Sequence, residues 1–344
     1  LPMTTRTEER IEEVQLEGLV ALKIIKHCKE SLPNIVTGVL LGLDVGTTLE
    51  VTNCFLFPSE SEEDDENKEV DEVDGDSYQL DMMRCLRDVN ADSNIIGWYQ
   101  STYLGSFLSE SVIENQFEYQ ENLGKCVCIV YDPLRSAIGN LALRAFRLTS
   151  AFIAFYKRGD FTEAKLLQAG VRFQDILEEV PIRVHNSELS KAFLYDLDAE
   201  RSLADPSRTE FDALELASGP MLEKSLEFLI ETVDELSAEQ LKFQNFQRSL
   251  QKQYSQQNQH LQKRKLENQN RKLNGLEELD IEEEIKQHPL WKPIAPPQRL
   301  ESLLMANQIN NYCEQLNDLA IQSFSKLYLV DAIRDGQDVH NERS

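Results

Sequence analysis

The apolar positions of this chain fall into two regimes. Over roughly the first 200 residues, short apolar runs alternate with amphipathic stretches; beyond them, leucines recur at helical spacing. Between Val14 and Glu30, Leu16, Leu19, Val20 and Ile24 share one helical face, while Lys23, Lys26 and Lys29 lie mostly elsewhere. The runs Val36 to Leu43 and Leu49 to Phe57 predict strands, separated by a turn at Asp44 to Thr48. Tyr78 to Val89 predicts a helix with Leu80, Met83 and Leu86 as its stripe. A strand at Ile95 to Tyr99, a helix near Glu110 to Glu121, and strands at Cys126 to Tyr131 and Leu141 to Leu148 follow. Ala151 to Tyr156 reads as either a strand or a helix edge. Helices interleaved with strands predict a mixed α/β or α+β domain over residues 12–200.

The second regime predicts helices that need partners. Leu222, Leu226, Leu229, Val233 and Leu236 recur at steps of four and three, a heptad seam within 201–241. After a hinge containing Pro289, Pro293, Pro296 and Pro297, a second amphipathic helix is expected over 299–330. Leu303, Ile309, Cys313, Leu316, Leu319 and Leu327 form its stripe, with 331–344 as a tail. Two stripes without a sheet between them must bury against something: a hairpin within the chain or, the preferred reading, a helical assembly of several chains.

Charge refines this outline. The chain carries 35 basic and 60 acidic residues, a formal net charge of −25. Between Glu60 and Asp76, eleven acids face only Lys68, which predicts a disordered acidic loop over 59–77; residues 1–11 are expected to form a flexible start. The opposite bias lies between Lys242 and Lys272, where eight bases and nine glutamines accompany a single acid, Glu267. Residues 242–298 therefore read as a basic, glutamine-rich helix or spacer followed by the acidic, Pro-rich hinge. The acidic whole argues against a dedicated duplex-DNA binder, since phosphate neutralisation needs surplus Lys and Arg. Residues 251–272 could still contact RNA phosphates, although Tyr254 is the only aromatic there and a solvated spacer is the favoured reading.

No apolar run reaches 18 residues, so no transmembrane helix and no membrane partner are expected, and Leu1 to Arg10 lacks the apolar core of a signal peptide. The six cysteines show no disulfide-scaffold spacing, which points to a reduced, cytoplasmic compartment. Cys126 and Cys128 are expected on one face of a buried strand.

One segment carries a family likeness. Gly97-Trp98-Tyr99-Gln100-Ser101-Thr102 resembles the core motif of the MPN (JAMM, Mov34) domain, whose active members carry Gly-Trp-Tyr-His-Ser-His there. Gly38 to Gly42, Val130 to Pro133, Ala145 to Leu148 and Glu179 to Ser187 are similar to other landmarks of that domain, in order. The likeness implies an α+β fold with a mixed sheet flanked by helices over 12–200. It also implies a test of chemistry, because active members hold zinc with two histidines and an aspartate and use a glutamate as general base. The histidine positions fall on Gln100 and Thr102, with Ser101 between them. The aspartate position falls on Val112, or on Ile113 without a one-residue gap, and the glutamate position falls on Ile35. The five histidines (His27, His185, His260, His288, His340) lie elsewhere, and Glu110 and Glu114 read as solvated helix-face acids. A degenerate site, no metal, no cofactor and no enzyme activity are the expectation.

Within the domain family, the likeness narrows to the h-subunit branch of eukaryotic translation initiation factor 3. Leu22 to His27, the Gln-Ser-Thr replacement, the tract Gln251 to Lys272, and Ser302 to Leu304 with Gln308 to Cys313 resemble that branch. The resemblance implies a scaffold role in 43S preinitiation complex assembly and mRNA recruitment to the small ribosomal subunit. The implied partners are the MPN-containing f subunit, the m subunit, PCI-domain subunits and the small ribosomal subunit. The alternatives are an inactive MPN component of the proteasome lid or COP9 signalosome, and a zinc isopeptidase with a rebuilt site.

Overall fold

A computed structural model describes residues 10–57, 75–136, 141–204, 219–273 and 291–341. Most of the expected flexible start and acidic loop lies outside the described residues, as do 205–218, part of the predicted hinge, and the last three residues.

The chain forms β1 (Glu13–Glu17), a strand where a helical face was expected to begin at Val14, so that Leu16 enters the sheet and Leu19 is exposed. It continues with α1 (Gly18–Glu30), β2 (Thr37–Val45), β3 (Thr48–Leu56), α2 (Gly75–Asp88), β4 (Ile95–Ser101), α3 (Glu110–Leu123) and β5 (Val127–Tyr131). Then come α4 (Pro133–Ser136), β6 (Leu143–Leu148), α5 (Ser150–Tyr156), α6 (Glu163–Ala169), β7 (Leu177–Val180), β8 (Ile182–His185) and α7 (Glu188–Ala204). The ambiguous run at 151–156 is a helix because Thr149 caps it, its Oγ1 accepting from the Phe152 N–H at 3.2 Å.

The strands form one mixed sheet in the order β7-β6-β5-β4-β2-β3-β1-β8. Side-chain alternation along its strands divides the core in two. On one face, α1 packs Val20, Ile24 and Cys28 over Leu16, Leu40, Val51, Tyr99 and Ile129. On the other, α2 covers Val39, Leu41 and Phe55, and α3 covers Trp98, Cys128, Val130 and Phe146. Gly97 lies where β4 meets β5 so closely that any Cβ would overlap the Val127 carbonyl. The register of β4 against β2 shifts beside it, at Leu40/Leu41.

Among its described residues, the C-terminal half holds two long helices, α8 (Gly219–Leu273) and α9 (Leu300–Asn341). The division expected at 241/242 is absent: the leucine-rich and glutamine-rich segments propagate as a single helix. No Gly or Pro follows Pro220 within it to interrupt the hydrogen-bond ladder. Likewise α9 continues past the boundary expected at 330. Helices α8 and α9 pack against each other.

Candidate functional site

The end of β4 is a packed junction. Ser101, between the two positions matched to histidine, donates its N–H to the Val36 carbonyl at 2.9 Å, and its Oγ accepts from the Val36 N–H at 2.8 Å. Its side chain therefore holds β4 against the segment leading into β2. Gln100 and Thr102 lie on the opposite face, with Trp98 two residues back. Trp98 donates its indole N–H to Gln116 Oε1 at 2.8 Å, Gln116 donates to Gln120 Oε1 at 3.1 Å, and Gln120 Oε1 accepts from the Leu148 N–H at 2.6 Å. That chain ties α3 to β4 and β6. Val112, in the first turn of α3, packs in the same cluster as Trp98. Its N–H meets the N-cap oxygen of Ser109 at 3.4 Å.

The structure thus brings Gln100, Thr102 and Val112 to one side of the sheet, all of them buried. Ile35 differs: it precedes β2 and is 56% exposed. Among the described residues, no group of three or more His, Cys, Asp and Glu side chains converges as a metal site.

After Thr102 the chain turns sharply. Leu104 and Gly105 both have positive φ, 51° and 76°. The turn directs the Gly105 carbonyl outward, where α9 meets it. Gln308 Nε2 donates to this carbonyl at 2.7 Å and Asn311 Nδ2 at 3.1 Å, while Gln308 Oε1 accepts from the Leu108 N–H at 3.4 Å. Asn311 Oδ1 accepts from Arg144 Nη1 at 3.0 Å, and Arg144 is held in turn by two bonds to Glu179, at 2.9 and 2.6 Å. The Glu179 bonds hold the Arg144 pKa above its ordinary value despite burial. Gln315 completes the row, so close to Gly105 that a Cβ there would overlap its amide. Each neutral hydrogen bond contributes about 1 kcal/mol net. The three bonds to the turn backbone are therefore a seam of about 3 kcal/mol.

An apolar anchor precedes this polar seam. Leu300 and Leu304 enter the cluster formed by Ile113, Leu148, Phe152, Phe155 and Phe161, with Leu303 half-buried beside it. Helix α8 adds Phe228 edge-on to Tyr103 (centroids 5.9 Å apart) and a Lys224 Nζ bond to the Tyr103 hydroxyl at 3.0 Å.

The face of α9 turned to the sheet is therefore Leu300, Leu304, Gln308, Asn311, Tyr312 and Gln315. The stripe expected from the sequence is offset from it. Ile309, Leu316 and Leu319 are half-buried and Cys313 is exposed. On α8, Leu229 and Leu236 are half-buried, while Leu222, Leu226 and Val233 remain more than 40% exposed. The amide row was missed because glutamine and asparagine count as solvent-facing. The available signal was their spacing: 308, 311 and 315 continue the helical face begun by Leu300 and Leu304.

Two family models match consecutive parts of the chain, meeting within the sheet domain. Residues 9–123 match the JAB1/Mov34/MPN/PAD-1 ubiquitin protease family, and residues 136–339 match the C-terminal region of eIF3h. The H subunit of eukaryotic translation initiation factor 3 from Arabidopsis thaliana is 50% identical over 94% of this chain and 93% of its own length. The chain belongs to the eIF3h family. The eIF3h proteins of Dictyostelium discoideum (43% identical, 94% of this chain and 95% of its own) and Nematostella vectensis (42%, 95% of each) are similar over the same span. For this eIF3h family member, both the sheet domain and the helical tail therefore fall within the relationship. Among solved structures, a solution structure from Desulfitobacterium hafniense covers 51% of this chain and 94% of its own. At 12% identity and a TM-score of 0.31, it carries no argument.

Proposed function

We propose that the chain is a non-catalytic scaffold component of translation initiation factor 3, supporting 43S preinitiation complex assembly and mRNA recruitment to the small ribosomal subunit. The observation that carries this reading is the likeness to relatives named as the H subunit of that factor over about 95% of the chain, tail included. Its proposed partners are the f and m subunits, PCI-domain subunits and the small ribosomal subunit, in the cytoplasm. The apolar positions left on α8 and α9, Leu222, Leu226, Val233 and Leu327 among them, are the proposed contacts for partner helices.

The absence of catalysis follows from the residues at the degenerate site. An amide at Gln100, a hydroxyl at Thr102 and aliphatic side chains at Val112 and Ile35 do not fit a zinc centre, which takes imidazole, thiolate or carboxylate, and none of them is a general base. The basic tract is assigned to a spacer rather than an RNA contact. Gln253 on α8 donates to the Lys292 carbonyl at 2.7 Å, and Lys242 and Arg264 pair with Glu239 and Glu267, so this segment already has partners within the chain.

Affinity purification of the full chain with mass spectrometry, together with metal analysis, tests the reading. Factor 3 subunits and no zinc are expected. Lid or signalosome subunits, or stoichiometric zinc with chelator-sensitive cleavage of a ubiquitin chain, overturn it. Deleting Gln251 to Lys272 should leave the salt dependence of ribosome association unchanged; a shallower slope would assign RNA contacts to the tract.

A further inference from the structure

Two buried polar atoms at the joint between the sheet and α9 have no hydrogen-bond partner: Thr102 Oγ1 and Asp132 Oδ2. Both residues are nine-tenths or more buried, at 4% and 3% exposure. They line the same small cavity, about 20 Å³, whose remaining wall includes Gly105, Arg135, Arg144, Asn311 and Gln315. The Asp132 carboxyl is otherwise held by backbone N–H groups: Oδ1 accepts from Leu134 at 3.0 Å and from Arg135 at 3.2 Å, and the Gly105 N–H also points at the carboxyl. Thr102 is likewise fixed through its backbone, its N–H donating to the Tyr131 carbonyl at 2.9 Å. The Asp132 carboxyl cannot turn away without breaking its backbone bonds, and Phe107, Val130 and Phe146 in the wall offer Thr102 Oγ1 no polar partner.

We propose that this cavity is a specific binding site for one internal water molecule, which joins the end of β4 to the start of α4 beneath the amide row of α9. Size favours one, because holding one water takes about 10–15 Å³ of such space and two would need about 20–30 Å³, which the cavity barely reaches. Mixed charge favours a neutral occupant over an ion. A cation would sit beside the guanidinium groups of Arg135 and Arg144, and an anion beside the Asp132 carboxylate. A neutral molecule with two donors and two acceptors fits: it donates one hydrogen to Asp132 Oδ2 and accepts the Thr102 hydroxyl hydrogen. Its second hydrogen is left for an amide oxygen on the α9 wall. An unpaired buried carboxylate oxygen and hydroxyl would otherwise each be left desolvated, which is costly. The position matched to the second histidine of active family members would then serve a structural water in place of a metal.

A crystal structure of the full chain, at a resolution that shows ordered water, tests the site directly. One density peak of a single oxygen within hydrogen-bond distance of Asp132 Oδ2 and Thr102 Oγ1 is expected. The proposal is overturned by a closed cavity in which Arg135 or Arg144 bonds Oδ2 directly. Metal-like short contacts or an anomalous signal at the peak overturn it as well. In solution, cross-relaxation between water and the Gly105 amide of the wild-type chain should report a long-lived bound water, and its absence counts against the site. Thr102→Val keeps the shape and removes one partner. It should abolish that signal and speed hydrogen exchange of the Leu108 amide about tenfold, with the α1 amides unchanged.

Discussion

Gly105→Ala probes the joint between the sheet and α9 at its tightest point. Gly105 has φ of 76°, and an alanine there carries a left-handed backbone cost of about 1–2 kcal/mol. A new Cβ also overlaps the Gln315 amide, so that side chain must leave its buried position. The Gly105 carbonyl accepts from both Gln308 and Asn311; displacing the turn weakens two bonds worth about 1 kcal/mol each. The expected total is about 2–4 kcal/mol. Gly170 supplies the control, left-handed with φ of 67° and nothing within 4 Å of where a Cβ would sit, so Gly170→Ala should cost only the backbone share, about 1–2 kcal/mol. Native-state hydrogen exchange of the full chain, read at Leu108 and over 300–315, separates the two. Gly105→Ala should accelerate exchange there and Gly170→Ala should not. Equal effects of the two substitutions would refute the account of the seam.

Three further perturbations test other parts of the structure. Gln116→Leu leaves the buried Trp98 indole N–H without its acceptor and should destabilise the chain by about 1–3 kcal/mol in urea titration, with altered tryptophan fluorescence. Leu304→Ala removes an anchor of α9 from the cluster around Phe152 and Phe155, and should cost about 2–5 kcal/mol, read as lost protection over 300–315. Asp132→Asn addresses titration. Burial raises the Asp132 carboxyl above its ordinary value of 3.8, so the folded chain holds that proton more tightly than the unfolded chain does. Stability from this group is present below the unfolded value and is lost as pH rises through the folded one. The wild-type stability relative to Asp132→Asn should therefore fall as pH rises from about 3.8; a flat difference contradicts the assignment.

The sequence by itself determined the local elements and the family plan. Strict runs such as Val36 to Leu43 and Cys126 to Tyr131 carry their own strand signal, and the ordered landmarks around Gly97 to Thr102 identified the domain. The side-chain identities at Gln100, Thr102 and Val112, on which the proposed loss of chemistry rests, were also legible, being a property of sequence alone. Their surroundings were not: only the assembled sheet leaves Ile35 exposed while burying the other three. Helix continuity was only partly legible. Composition marked the change at Lys242, yet backbone hydrogen bonding ignores a change in charge and stops only at breakers or unfavourable packing.

What tertiary structure alone decided was which face of α9 turns inward. Leucine spacing favoured the stripe through Ile309, Cys313 and Leu316, because transfer free energy ranks those side chains above amides. The sheet offered α9 something different: an outward carbonyl at Gly105, an amide at Leu108 and the Arg144 guanidinium, all needing polar partners. Gln308 and Asn311 meet those groups, and the helix rotates to let them do so. Hydrophobicity is written residue by residue along a chain, whereas the need of a buried carbonyl for a donor exists only once a turn has placed it.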